Sequence, residues 1–114
     1  MTLLRSRTPI FTATWDLSVW LLKKARTAPD DPLARSLAER ALRLVDAISF
    51  ALKDMDRDEA LHNADVLLLQ LRLRLRLSLE TGLLDSRQAQ FALQQTDAIG
   101  RQLGGWRKAR NRAE

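Results

Sequence analysis

The sequence has no cysteine, one histidine, four glycines and three prolines among 114 residues. The lack of cysteine removes disulfides, thiolate zinc sites and cysteine nucleophiles together. No serine sits in a glycine elbow, and neither a phosphate-binding loop nor a dinucleotide fingerprint is present. No stretch approaches the roughly 18 uninterrupted apolar residues of a membrane span. The opening segment carries Arg5, Arg7 and Asp16 without a long apolar run, so no signal peptide is expected. The lone His62 has Asp58, Glu59 and Asp65 about one turn away. Acids in a first helical turn complement the helix dipole, so a metal is not expected there. Asp46, Asp65 and Asp97 fall in helix interiors as candidate partners for arginines, without the paired ligand motif of di-metal bundles. Together these absences lead to the expectation of a non-catalytic, cytoplasmic chain without cofactor or membrane partner.

The cations are the abundant feature. Nineteen basic residues face fourteen acidic ones, a formal net charge of +5, and fifteen of the nineteen are arginine. Such a surplus favours polyanionic partners, and arginine's planar fork suits phosphate. Hydrophobic residues make up 46% of the chain, enough for a folded core. The length fits one domain, residues 1–114, burying roughly 65% of its unfolded surface.

Glycine and proline sit at joints, where they mark helix ends. Asp31-Pro32 places a capping acceptor before a proline at the first helical position, and Thr8-Pro9 is a softer start of the same type. Asp56 to Glu59 and Asp85 to Gln88 have capping-box spacing. Gly82 stands where a left-handed C-terminal cap is wanted. Helices are therefore expected over about 9–27, 32–53, 57–81 and 85–107, followed by a basic tail over 107–114. Short links make consecutive helices antiparallel, so the predicted fold is all-α, an up-down-up-down four-helix bundle. Leu33, Leu37, Ala41, Leu44 and Ile48 form one stripe on the second helix. Ala92, Ile99, Leu103 and Trp106 form one on the fourth, flanked by Phe91.

From Leu69 to Leu79, leucine alternates with Gln70, Arg72, Arg74, Arg76 and Ser78. Alternation is the period of a half-buried strand. Leucine and arginine nevertheless favour helix, a start signal and a C-cap glycine bracket the segment, and no second strand candidate exists to pair its backbone. On a helix, a period of two splits into two stripes: Leu68, Leu71, Leu75 and Leu79 on one side, with Leu69, Leu73 and Leu77 nearly opposite. The first can face the core. The second needs cover, which makes Leu69, Leu73 and Leu77 a candidate oligomer interface with Arg72, Arg74 and Arg76 along its borders. The alternative is a wide single core in which arginine stems cover the surplus leucine.

Lys23, Lys24 and Arg26 close the first helix, and Arg101, Arg107, Lys108, Arg110 and Arg112 close the fourth. Cations belong at helix C-termini on dipole grounds alone. In an up-down bundle, however, these two ends form opposite basic poles. Trp15 and Trp20, five residues apart, are expected to face different directions, one toward the core and the other toward an interface or a stacked base.

The segment Leu68–Lys108 carries a family resemblance in the arginine–leucine run, the turn Gly82-Leu83-Leu84-Asp85, and Ile99-Gly100-Arg101-Gln102-Leu103-Gly104-Gly105-Trp106-Arg107-Lys108. The first helix adds Trp15-Asp16-Leu17 and Trp20-Leu21-Leu22-Lys23-Lys24. In these motifs the chain resembles the accessory variability determinant proteins of diversity-generating retroelements. It also resembles the wider four-helix-bundle family that includes proteins encoded in 23S rRNA intervening sequences. The resemblance implies a homopentameric barrel that associates with a reverse transcriptase and with template RNA or cDNA, supporting mutagenic cDNA synthesis without catalysis. Carried over by motif position and charge, the nucleic-acid-binding residues are Arg72, Arg74, Arg76, Arg101, Arg107 and Lys108, with Arg110 and Arg112 in the basic tail. The first loop, Ala28-Pro29-Asp30-Asp31-Pro32, is acidic where the family tends to be basic, so nucleic acid is less expected at that end. The second function open to the chain is a structural or adaptor oligomer whose charge serves only solubility.

Overall fold

The computed structural model describes residues 8–113, with side chains through residue 109. The described residues form four helices and no strand: α1 (Pro9–Arg26), α2 (Pro32–Leu52), α3 (Arg57–Thr81) and α4 (Ser86–Ala113). α1 packs on α2 and α4, and α3 packs on the same two. One core lies between them, an all-helical arrangement compatible with a four-helix bundle. The long dimension of 45 Å is close to the roughly 42 Å expected of a helix the length of α4.

Most of the local signals act as anticipated. The Asp31 carboxylate accepts from the backbone N–H groups of Leu33 (2.8 Å) and Ala34 (3.3 Å), with Pro32 in the first turn. Asp85 and Gln88 close a reciprocal box: the Gln88 N–H donates to Asp85 Oδ1 at 2.8 Å, and the Asp85 N–H to Gln88 Oε1 at 3.1 Å. Gly82 ends α3 with φ of 84°, the left-handed conformation in which a Cβ is disfavoured.

Three expectations are corrected. Asp56 does not cap α3, because it adopts φ of 46° and makes no side-chain cap hydrogen bond. An N-cap needs extended backbone to aim its carboxylate at the first turn. Here the reversal between α2 and α3 requires left-handed residues at both Asp54 and Asp56. Thr8 likewise makes no side-chain cap, so Pro9 alone marks the start of α1. The third correction concerns α4, which does not stop near residue 107 but continues through Gly104 and Gly105 to Ala113.

The ladder is helical throughout. Ala64, Leu68, Leu71, Leu75 and Ser78 are buried, a spacing of alternating four and three residues that follows one helix face. Leu79, grouped above with the inward stripe, is 41% exposed, and Ser78 takes the inward place. The turn accounts for the exchange. The Leu84 N–H donates to the Ser78 carbonyl at 3.1 Å, and the buried Leu84 side chain fills that end of the core. The Ser78 hydroxyl is satisfied by the Arg74 carbonyl at 2.7 Å. Thr14 bonds the Ile10 carbonyl in the same manner, so such small hydroxyls are buried without an orphaned donor.

Two substitutions test this account by chemical denaturation. Leu75→Ala removes a fully buried side chain and should destabilise by about 2–5 kcal/mol. Gly82→Ala finds open space but must adopt a left-handed backbone, and should lose about 1–2 kcal/mol.

Candidate nucleic-acid interface

With its inward face set, α3 distributes the ladder's remaining residues over three directions. Leu69, Leu73 and Leu77 point outward and are 55%, 53% and 50% exposed. Val66 extends this row, and Leu42 and Phe50 on α2 add further exposed apolar surface. Phe50 and Val66 border an open hollow of about 410 Å³ between α2 and α3, which Arg43, Asp46 and Gln70 also line.

Arg74 turns toward α2. Its Nε donates to Ser36 Oγ at 2.7 Å and its Nη1 to the Gln70 carbonyl at 3.2 Å. Arg40 of α2 approaches from the other side, donating to Ser36 Oγ at 3.0 Å and to Gln70 Oε1 at 3.2 Å. Burial, and then the neighbouring Arg40 charge, lower the Arg74 pKa from its ordinary value. Arg74 is thus a structural cation, tied into the α2–α3 seam by hydrogen bonds.

Arg72 turns the opposite way, toward α4. Its Nε lies 3.3 Å from Asp97 Oδ1, and one guanidinium nitrogen rests against α4 at Gly100. A Cβ built on Gly100 would meet that nitrogen at 2.7 Å. The missing side chain is therefore what lets the tip of the guanidinium approach the helix. The Nε is buried and out of line for a hydrogen bond, and has no hydrogen-bond partner. About two turns away, Arg107 of α4 reaches back to pair with Asp65 of α3. Asp65, Arg72, Asp97, Gly100 and Arg101 line a shallow cleft of about 320 Å³ between these two ion pairs. Both pairs are substantially solvent-exposed, and exposed pairs contribute about 0–1 kcal/mol each. Arg76, Arg101 and Lys108 are exposed, and no ion pair engages them among the described residues.

The α3–α4 seam thus gathers Arg72, Arg101 and Arg107 of the sequence candidates, with Arg76 and Lys108 exposed on the same two helices, and leaves Arg74 apart. The Arg110 and Arg112 side chains lie outside the described residues. Of the interior acids, Asp65 and Asp97 pair with arginines as anticipated, whereas Asp46 makes no ion pair among the described residues. Gly100 was legible as part of a motif but not as the clearance for Arg72. Chain register holds that signal: fourteen residues either way from Ser86 reaches Arg72 and Gly100, and twenty-one reaches Asp65 and Arg107.

The two tryptophans of α1 divide as expected, Trp20 toward the core and Trp15 outward. Trp15 is exposed and stacks on Phe11 at 5.8 Å between ring centroids. Trp20 is only partly buried, packing against the core and against Phe91 at 5.4 Å. Neither is a fully buried core residue. Trp106 lies beneath the Arg57 guanidinium at 4.7 Å, a cation–π contact that joins the start of α3 to the late part of α4. Among the described residues, no three histidine, aspartate or glutamate side chains converge to hold a metal ion, and no helix is long and apolar enough to cross a membrane.

Comparison with family models, with curated proteins and with solved structures finds no match.

Gly100→Ala should displace the flexible Arg72 head from α4 and break its approach to Asp97. Stability should change by no more than about 1 kcal/mol, since alanine's helix propensity offsets the lost exposed pair. A loss of several kcal/mol in denaturant titration would mean that the guanidinium cannot move aside.

Proposed function

We propose that this chain is a non-catalytic, basic accessory subunit of a diversity-generating retroelement. In this proposal it is an antiparallel up-down-up-down bundle that assembles into a homopentameric barrel. It holds template RNA or cDNA and docks the reverse transcriptase in the cytoplasm. The observation that carries the self-association is the outward row Leu69, Leu73 and Leu77, each at least half exposed. A row of this length on one helix is poorly suited to water, and a second subunit laid along it would cover it. Arg76, Arg101 and Lys108, exposed and without an ion pair among the described residues, supply charge for a polyanion, and a ring of subunits would multiply that field. Pentamer, retroelement and polymerase partner come from the resemblance in the ladder, the Gly82 turn and the Ile99–Lys108 motif.

A structural adaptor without nucleic-acid function is the second reading. The pairing of Arg72 with Asp97 and of Arg107 with Asp65 favours it, because two of the cations assigned to nucleic acid are neutralised within the chain.

Two measurements separate these functions. In sedimentation analysis, Leu73→Glu together with Leu77→Glu should give folded monomers. Unfolding would return the stripe to the core, and an unchanged oligomer would remove it from the interface. By fluorescence anisotropy, a labelled structured RNA should bind the wild-type chain with an affinity that falls steeply as salt rises. Arg107→Glu with Lys108→Glu should weaken that binding. No binding at low salt leaves the adaptor.

A further inference from the structure

We infer that the polyanion-contacting surface is the α3–α4 seam, and that Asp65 and Asp97 stand there as built-in competitors that phosphates displace from Arg107 and Arg72. This rests on the polyanion-binding function proposed above and specifies its surface and its restraint.

The two seams beside the leucine row differ in what their arginines can do. On the α2 side, Arg74 is tied by hydrogen bonds to Ser36 and to the Gln70 carbonyl, and Arg40 occupies the remaining acceptors. Moving Arg74 onto a phosphate would break its bond to Ser36, which links α3 to α2. On the α4 side, Arg72 is under-satisfied, its Nε near Asp97 Oδ1 at 3.3 Å yet lacking any hydrogen bond. A phosphate can accept from an arginine fork through two oxygens at once, so Arg72 swinging outward, which frees its buried Nε, gains hydrogen bonds on exchanging carboxylate for phosphate. Asp65 and Asp97 are both about half exposed and can return to water without a buried charge being left behind.

Placement supports the same surface. Arg72 and Arg76 lie one turn apart on α3, while Arg101, Arg107 and Lys108 follow along α4 across a shallow cleft. From Asp65 to Arg76 the seam runs roughly 16 Å along α3, a span that admits several consecutive phosphates. In the free protein two of its five cations are masked. On a nucleic acid each displaced aspartate must be rehydrated beside the incoming strand, so affinity is held below what the five arginine and lysine side chains would give alone.

The test uses the full chain and a fluorescently labelled structured RNA, with binding measured across a salt series. Asp65→Asn with Asp97→Asn should bind several-fold more tightly than wild type, with a logarithmic salt slope close to wild type's, because phosphates take both arginines in either complex and only the competing carboxylates are lost. Asp16→Asn with Asp30→Asn makes the same change in net charge at exposed acids away from the seam, and should gain clearly less affinity. A seam variant that binds no more tightly than this control overturns the inference. If the seam variant does not fold by circular dichroism, Arg72→Gln with Asp97→Asn serves instead, keeping net charge at +5. It should lose about 0.7–0.9 of slope, and an unchanged slope is equally fatal. Wild-type protein that binds no RNA at low salt fails the polyanion reading itself, which a null seam variant on a binding wild type does not.

Discussion

The rotational setting of α3 is the constraint on which the rest of the surface depends. A helix that alternates leucine with polar residues cannot hide every leucine in one core, so its phase decides which are left in water. Burial of Ala64, Leu68, Leu71, Leu75 and Ser78 sets that phase, and the cap at Gly82 with Leu84 folded beneath it holds the end in place. Once it is set, Leu69, Leu73 and Leu77 must face outward, Arg72 must lean toward α4, and Arg74 toward α2. A rotation of α3 by one residue, about 100°, would bury arginine, and burying unpaired guanidinium is far more costly than exposing leucine.

The same phase explains why three arginines two residues apart have three different chemistries. Arg74 meets neutral acceptors, Ser36 and the Gln70 carbonyl, and becomes part of the packing. Arg72 meets a carboxylate and a glycine, and keeps an unsatisfied donor. Arg76 is exposed with no ion partner among the described residues. Net charge of +5 therefore understates how unevenly cations are available: the α2 side has committed its arginines, while the α4 side holds them loosely.

The elements legible in the sequence were those whose cause is local. Asp31-Pro32, the Asp85–Gln88 box and Gly82 act within a few residues of themselves, and each works as its chemistry dictates. The ladder also declared itself, because no second strand was present to pair with it. What was not legible depended on contacts across the fold. Asp56 has the letter of a cap, but the turn between α2 and α3 needs a left-handed residue there. Leu79 has the period of the core, but Leu84 arrives from the turn and fills the space. The basic run after Trp106 reads as a tail, yet α4 continues through it to Ala113. Gly100 matters for a side chain 28 residues earlier, which no local pattern reports.

Leucine row and basic seam share one helix, and their relative placement bears on how assembly and binding would coexist. The row points away from the core and the seam lies on its α4 flank, so a neighbour seated on Leu69, Leu73 and Leu77 need not cover Arg101 or Lys108. Arg72 and Arg76 border both surfaces. A subunit contact would leave their stems against apolar surface, where long aliphatic chains pack well, and exclude water from one side of the seam. Charge interactions strengthen as the surrounding medium becomes less polar, so a neighbour along the leucine row would make the flanking arginines better phosphate ligands than they are in an isolated chain. Self-association and polyanion binding would then reinforce each other through the same few residues, because a single helix phase assigns both.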